Sequence, residues 1–392
     1  MYEAVIVSAV RTPLGGFNRM LASLDATDLG GIVIKNAVRR AGIEPGHVDE
    51  VIMGQVLQCG CGQNPARQSA IKAGLPFEAE CLTLNKVCGS GLKAVMLAAQ
   101  AIQTGDAEVV VAGGMESMSR APYYLEKARF GYRMGAGRIE DHMVHDGLWD
   151  IVNDFHMGMS NELCSERYNI SREVQDRYAA RSYERALAAQ AAGFFDDEIV
   201  PVVLPLKRDD ESEVADRDEC PRETSFEVLS LMEPVFKRDG VGTAGNASPI
   251  SDGAAAVVVM SRERAEILGC RVIAAIGAQA CSGIDMKYVL MAPVRAIPKC
   301  LEKENMDLSQ VDLIEMNEAF SGSTCAVMQE LTLDPEKTNI NGGSVALGHP
   351  LGASGCRILV TLLHAMVRND KQTGLASLCL GGGEAVAMIV KR

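Results

Sequence analysis

The sequence repeats itself. Val48-Asp49-Glu50-Val51-Ile52 is echoed by Val311-Asp312-Leu313-Ile314-Glu315, and the two aspartates lie 263 positions apart. Cys88-Gly89-Ser90-Gly91 is echoed by Gly352-Ala353-Ser354-Gly355, with an offset of 264 between Gly91 and Gly355, and each opens an apolar helical pattern. An apolar strand and a glycine cluster follow in both places, Gly113-Gly114-Met115-Glu116 and Gly381-Gly382-Gly383-Glu384. Three matches in one order imply a duplicated unit, so the chain must fold as two similar halves.

The local patterns say what each half contains. Val5–Val10, Val109–Ala112, Ala254–Met260, Val272–Ile276, Leu375–Leu380 and Ala385–Val390 are short runs that are apolar without alternation. Such runs read as strands covered on both faces, which indicates an α/β fold. Residues 91–104 place Leu92, Val95, Met96, Ala99 and Ile102 on one helical face, with Gly105 as the stop. This helix carries so little polarity that it is expected between layers. Between the halves, Ser171–Gly193 reads as a polar helix capped by Ser171. The stretch Lys207–Glu223 carries eight acidic and four basic residues and reads as a solvated loop within an insertion.

Composition excludes several classes. Lys and Arg number 38 against 51 Asp and Glu, a formal net charge of −13, which disfavours nucleic acid and anionic membranes as partners. No apolar run is read as a membrane span of the required ~18–20 residues. The start of the chain reads as a buried strand rather than a secretory signal, so a cytoplasmic location is expected. The 12 cysteines are scattered, which argues against a disulfide framework and makes each one's default role a small core residue.

Two motifs look functional and fail on context. Gly240-Val241-Gly242-Thr243-Ala244-Gly245 fits the dinucleotide fingerprint, but it lacks the preceding strand and following helix that would hold a pyrophosphate. Cys59-Gly60-Cys61 lacks the partner pair of a zinc site, so no metal is expected.

The remaining motifs converge on acyl chemistry. In Asn85-Lys86-Val87-Cys88-Gly89-Ser90-Gly91, Cys88 sits at the start of the buried helix, where the helix dipole and free backbone N–H groups are expected to lower its pKa. His349 occupies the corresponding glycine-rich turn of the second half, in Gly348-His349-Pro350. If the halves pack about a pseudo-twofold axis, both turns face one cleft and form a nucleophile–base pair. Cys379, before Gly381-Gly382-Gly383, could transfer a proton to or from carbon beside N–H groups suited to an oxyanion. Asn317, in Asn317-Glu318-Ala319-Phe320, could polarise a carbonyl or orient water. His364, on the following helix, reads as structural.

These motifs, with GGMESMS, AGNAS and GGSVALGHPLGASG in the same order along the chain, resemble the thiolase family, within it the acetyl-CoA acetyltransferases. The resemblance implies two α/β halves in a five-layer αβαβα core with an inserted loop domain that binds coenzyme A. The corresponding boundaries are 1–118, completed by about 248–270, for the first half, 119–247 for the loop domain and 271–392 for the second half. It implies that Cys88 takes the acyl group with help from His349, and that Cys379 handles the α-proton of a second acetyl-CoA. His349 with a water held by Asn317 would form one oxyanion site, and the N–H groups of Cys88 and Gly381 the other. Leu148, His156, Met157, Phe236, Ala244, Ser248 and Phe320 would line the pantetheine and acyl pocket, and Arg222 would meet the adenine nucleotide. Acetyl-CoA, acetoacetyl-CoA and CoA would be the substrates, with no tightly bound cofactor. A homotetramer or homodimer is implied, with Ala121–Met143 as the tetramer-forming loop.

The sequence departs from the family at Val289-Leu290-Met291-Ala292-Pro293, where many acetoacetyl-CoA thiolases read M-G-x-G-P, at Pro249, and at Cys220 where His is common. The first of these opens the alternative of a longer-chain 3-ketoacyl-CoA thiolase. A ketosynthase would lack a partner like Cys379. A non-catalytic acyl-CoA or lipid-binding module would have no need of Cys88, Asn317, His349 and Cys379 together.

Overall fold

A computed structural model describes residues 2–205 and 213–392; the opening of the charged stretch, residues 207–212, lies outside them. The central strands are β1 (Ala4–Arg11), β2 (Glu50–Gly54), β3 (Glu80–Leu84), β4 (Val109–Ser117), β5 (Ser251–Ser261), β6 (Ala274–Gly283), β7 (Leu313–Met316), β8 (Thr373–Leu380) and β9 (Glu384–Lys391). The main helices are α1 (Ala26–Ala41), α2 (Pro65–Ala73), α3 (Ser90–Thr104), α4 (Met157–Tyr168), α5 (Arg172–Ala191), α6 (Pro293–Glu304), α7 (Ser321–Leu331) and α8 (Leu351–Arg368).

Five of the six expected apolar runs fall wholly in strands, and the sixth, Val272–Ile276, begins two residues before its strand, which starts at Ala274. Helix α3 ends at Gly105, which adopts the left-handed conformation at φ 81°, and α5 begins at Ser171, whose hydroxyl accepts from Val174 N. The strands run in the order β7-β8-β9-β6-β1-β5-β4-β2-β3, with the two-residue strand Gly15–Gly16 beside the start of β5. The two halves meet in this sheet through a short antiparallel contact, Val5 opposite Ala275 and Ile6 opposite Ala274.

Alternation along the strands produces five layers. Val5 and Val7 of β1 point to α1 and α2, whereas Ala4 and Ile6 point to α3 and α8. In the second half, Leu378 and Val386 face that same central helix pair, while Ala385, Ala387 and Ile389 face α6 and its neighbours. Helix α8 is long and apolar enough to cross a membrane by length and composition, which corrects the sequence-based reading that no such run exists. Its side chains are nevertheless buried between the two halves of the sheet.

The repeat is visible atom by atom. Asp49 Oδ2 accepts from Glu108 N and Val109 N at 2.8 and 2.9 Å, and Asp312 Oδ2 accepts from Gln372 N and Thr373 N at 2.9 and 3.0 Å. Each aspartate thus pins the start of its own half's strand β4 or β8. The equivalent glycines mark where α3 crosses α8. A Cβ on Gly91 would lie 2.8 Å from Cys356 N, and one on Gly355 would lie 2.5 Å from Leu92 N. Only hydrogen at both positions lets the backbones approach this closely. That crossing brings the residues just before each helix, Cys88 and His349, to one end of the molecule.

Candidate active site

Cys88, His349, Cys379 and Gly381 line one cavity of about 400 Å³. Leu148, His156, Met157, Phe236, Ala244, Ser248 and Phe320 line it too. Arg222 does not. It borders a second cavity of about 410 Å³, with Arg19, Tyr183 and Cys220, that shares Ala244, Pro249 and Ile250 with the first. Asn317 is buried, 4% exposed, and is not part of the cavity wall.

The loop before α3 is held tightly. Val87 has φ 47°, a conformation that a β-branched side chain adopts only under constraint. Asn85 Oδ1 accepts from Val87 N at 2.8 Å, and the Ser90 hydroxyl accepts from Lys86 N and donates to Val87 O. Lys86 pairs with Glu384 of β9 across the halves. Gly89 packs closely on the second half, since a Cβ there would lie 2.3 Å from Leu380 Cδ2 and would force that side chain to move. The thiol of Cys88 is thereby set against the backbone N–H of Gly381.

The expected low pKa of Cys88 is not what the structure gives. Burial pushes the thiol up to about 11, and the Gly381 N–H and the cysteine's own N–H offset this only in part. Gly89 is the N-cap of α3, so Cys88 lies outside the helix and beyond the first turn, where the dipole acts most strongly. Cys379, at the end of β8, is pushed higher still, first by burial and then by the neighbouring Cys88 thiol. His349 is pushed down to about 3 by burial and by the Arg357 guanidinium.

A neutral imidazole between neutral thiols is thus the resting state. The tautomer follows from its partners. The Ser354 hydroxyl donates to Pro350 O at 2.8 Å, so His349 Nδ1, 2.6 Å from Ser354 Oγ, carries the ring proton. Nε2 is left with the lone pair that a base needs.

The far wall is aromatic. His156 caps α4, its Nδ1 accepting from Gly158 N at 3.0 Å, and its ring stacks on Phe236 at 5.3 Å. Phe236 in turn meets Phe320 edge-on at 5.6 Å. Burial lowers the pKa of His156, so this wall is uncharged and suits an apolar chain. Val289 and Leu290, from the atypical segment, complete it.

Two buried carboxylates that sequence reasoning had only as letters in motifs turn out to brace the site. Glu318 accepts from Tyr178 Oη, Ser182 Oγ, Asn339 Nδ2 and Val345 N at 2.7–3.1 Å, tying α5 to the strand end that carries Asn317. Glu116 accepts from Val56 N, Leu57 N and Gly352 N, joining the first half to the start of α8. The glycine motif at 240–245 has a related use: Glu162 accepts from Val241 N and Gly242 N, so its backbone donors serve an internal carboxylate. His364 Nε2 meets Ala9 O at 3.0 Å, a structural contact.

Residues 4–263 match the thiolase N-terminal domain and residues 270–392 the thiolase C-terminal domain. The chain belongs to the thiolase family. It is 52% identical to the acetyl-CoA acetyltransferase of Pseudomonas aeruginosa and 52% identical to that of Cupriavidus necator, each over 100% of both chains. The crystal structure of the Bacillus anthracis acetyl-CoA acetyltransferase superimposes on this thiolase with a TM-score of 0.98, at 43% identity, covering 100% of this chain and 99% of that one.

Proposed function

We propose that the protein is an acetyl-CoA C-acetyltransferase that joins two acetyl-CoA molecules into acetoacetyl-CoA and CoA, reversibly, through an acyl-Cys88 intermediate. The observation that carries this reading is the meeting of the Cys88 and Cys379 thiols with the neutral His349 imidazole in a single apolar cavity. Hydrolysis needs one nucleophile and one base; forming a carbon–carbon bond also needs a separate acid–base for the α-carbon.

In the first step the Cys88 sulfur attacks the thioester carbonyl and its proton passes to His349 Nε2. The tetrahedral oxyanion lies against the N–H groups of Cys88 and Gly381. As the carbonyl reforms, the CoA thiolate leaves with the proton of Cys379. Acylated Cys88 can no longer carry the charge that would oppose ionisation of Cys379. The Cys379 thiolate then takes an α-proton from the second acetyl-CoA, whose enolate oxygen faces imidazolium His349 and a water held by Asn317. Enolate carbon attacks the acyl group, the bond to Cys88 breaks, and His349 returns its proton to Cys88. Cys88, His349 and Cys379 are then in their starting protonation states, the α-proton having replaced the one that left with CoA.

In this reading Leu148, His156, Met157, Phe236, Ala244, Ser248 and Phe320 hold the pantetheine arm and acyl group, and Arg222 meets the nucleotide from the second cavity. The enzyme acts in the cytoplasm as a homotetramer or homodimer. The exposed Tyr123, Phe130, Met134 and Ile139 in the 121–143 loop suit contact with further copies of the chain.

The test is CoA-dependent cleavage of acetoacetyl-CoA beside a medium-chain 3-ketoacyl-CoA, under reductant. Preference for acetoacetyl-CoA, lost in Cys88→Ala, is expected. Preference for the longer substrate would move the protein to the degradative branch through Val289 and Leu290. No cleavage of either by folded protein would overturn the enzymatic reading.

A further inference from the structure

The side-chain amide of Asn317 can be turned two ways, and its surroundings choose one. Arg357 is a donor only, and its Nη2 donates to Ser344 Oγ at 2.7 Å. The Ser344 hydroxyl has one proton to give, and an end of the Asn317 amide lies 2.6 Å away. Among the described residues that proton meets no other acceptor, so the amide end that takes it is Oδ1, and Nδ2 is turned to the opposite side. Nδ2 is buried and has no protein acceptor. All three side chains are out of solvent, Ser344 at 0%, Arg357 at 1% and Asn317 at 4% exposure. The backbone under the amide is fixed as well, Asn317 N donating to Ser377 O at 3.0 Å.

We propose that Ser344 and Arg357 are positioning residues for Asn317: a relay of donors that locks the amide with its nitrogen turned to the water that meets the oxygen of the reacting enolate. Neither residue touches substrate. Their placement fits the task, because Ser344 opens the short helix Ser344–Leu347 just ahead of His349, and Arg357 lies inside α8 beyond it. One guanidinium thus orders the amide through Ser344 from the helix that follows the His349 turn. Without the hydroxyl, Oδ1 has no donor, and the amide can turn its oxygen toward the water, accepting from it instead of donating to it and so weakening the water's hydrogen bond to the enolate.

The relay rests on the reading of Asn317 as part of an oxyanion site, and the experiment separates the two. Thiolysis of acetoacetyl-CoA passes through the enolate. Exchange of labelled CoA into acetyl-CoA passes only through acyl-Cys88 and the other oxyanion site. Loss of one oxyanion donor costs about 100- to 1,000-fold in kcat, and a misoriented donor should cost roughly 10- to 100-fold.

Ser344→Ala is therefore expected to lower kcat for thiolysis with KM unchanged, to leave exchange within about twofold, and to add nothing in an Asn317→Ala background. Ser344→Thr, which keeps the hydroxyl, is expected to retain thiolysis. Ser344→Cys, of similar volume with a weaker donor, gives the same readout should Ser344→Ala not fold. Equal loss of exchange and thiolysis, or additive losses with Asn317→Ala, would overturn the relay. If Asn317→Ala itself leaves thiolysis intact, the oxyanion reading of Asn317 fails and the relay with it. If Asn317→Ala impairs thiolysis and Ser344→Ala does not, the relay alone fails.

Discussion

Glu318 offers the sharpest test of how the inserted segment is held to the catalytic core. Its carboxylate is 1% exposed and accepts four hydrogen bonds, two on each oxygen. Tyr178 and Ser182 come from α5; Asn339 and Val345 come from the segment that leads to His349. Glu318→Gln keeps the volume but leaves one oxygen, so two donors face an NH₂ group that cannot accept. Hydrogen bonds to a charged group are worth about 1.5–3 kcal/mol each, so losing two predicts roughly 3–6 kcal/mol. Ser182 accepts from Gly343 N at 3.0 Å and could take the new amide proton by rotating, which places the value at the lower end. The assay is urea unfolding at matched protein concentration, in which the midpoint should fall without a change in slope. A loss below about 1 kcal/mol would refute the argument, because it would mean that the four contacts do not act as a tie.

Asp49→Ala and Asp312→Ala remove equivalent pairs of bonds from the two halves, so each should destabilise by about 1–3 kcal/mol and by similar amounts in the same unfolding assay. His349 is held down near 3 by burial, so the folded enzyme keeps it neutral while the unfolded chain protonates near its ordinary value. Its contribution to stability is therefore complete above about pH 6.5 and is lost as the pH falls toward 3; His349→Asn should flatten that part of the stability profile. The Cys88 thiol, pushed up to about 11, predicts that alkylation by iodoacetamide in free enzyme accelerates steadily from pH 7 to 10. A rate already flat at pH 7 would contradict a thiol that rests protonated.

The sequence made much of this structure legible because the relevant signals are local or repeated. Apolar runs marked the strands, Gly105 and Ser171 marked helix ends, and the offset between Gly91 and Gly355 marked α3 and α8 as equivalent helices of two similar halves. Cys88 and His349 stood out because each sits in a turn crowded with glycine, and Cys379 because it closes a strand just before one. What stayed hidden depends on partners far away in the chain. Glu116 bonds Gly352, Glu318 bonds Tyr178, and Ser344 links Arg357 to Asn317; no periodicity records such pairings. The pKa of Cys88 was misjudged for the same reason. Its position near a helix start is visible in the sequence, whereas the burial that dominates is assembled from both halves. Helix α8 was underestimated because Arg357 and His364 interrupt its apolar pattern, although both are accommodated inside the fold.

The central claim is that the two thiols divide the chemistry, Cys88 carrying the acyl group and Cys379 moving the proton on carbon. The most direct measurement compares Cys88→Ala with Cys379→Ala in two assays: acetylation of the protein by acetyl-CoA, read by mass spectrometry of the cysteine peptides, and thiolysis of acetoacetyl-CoA. The account predicts that Cys379→Ala still acquires an acetyl group on Cys88 but loses thiolysis, and that Cys88→Ala loses both. Acetylation at a different cysteine, or undiminished thiolysis in Cys379→Ala, would contradict it.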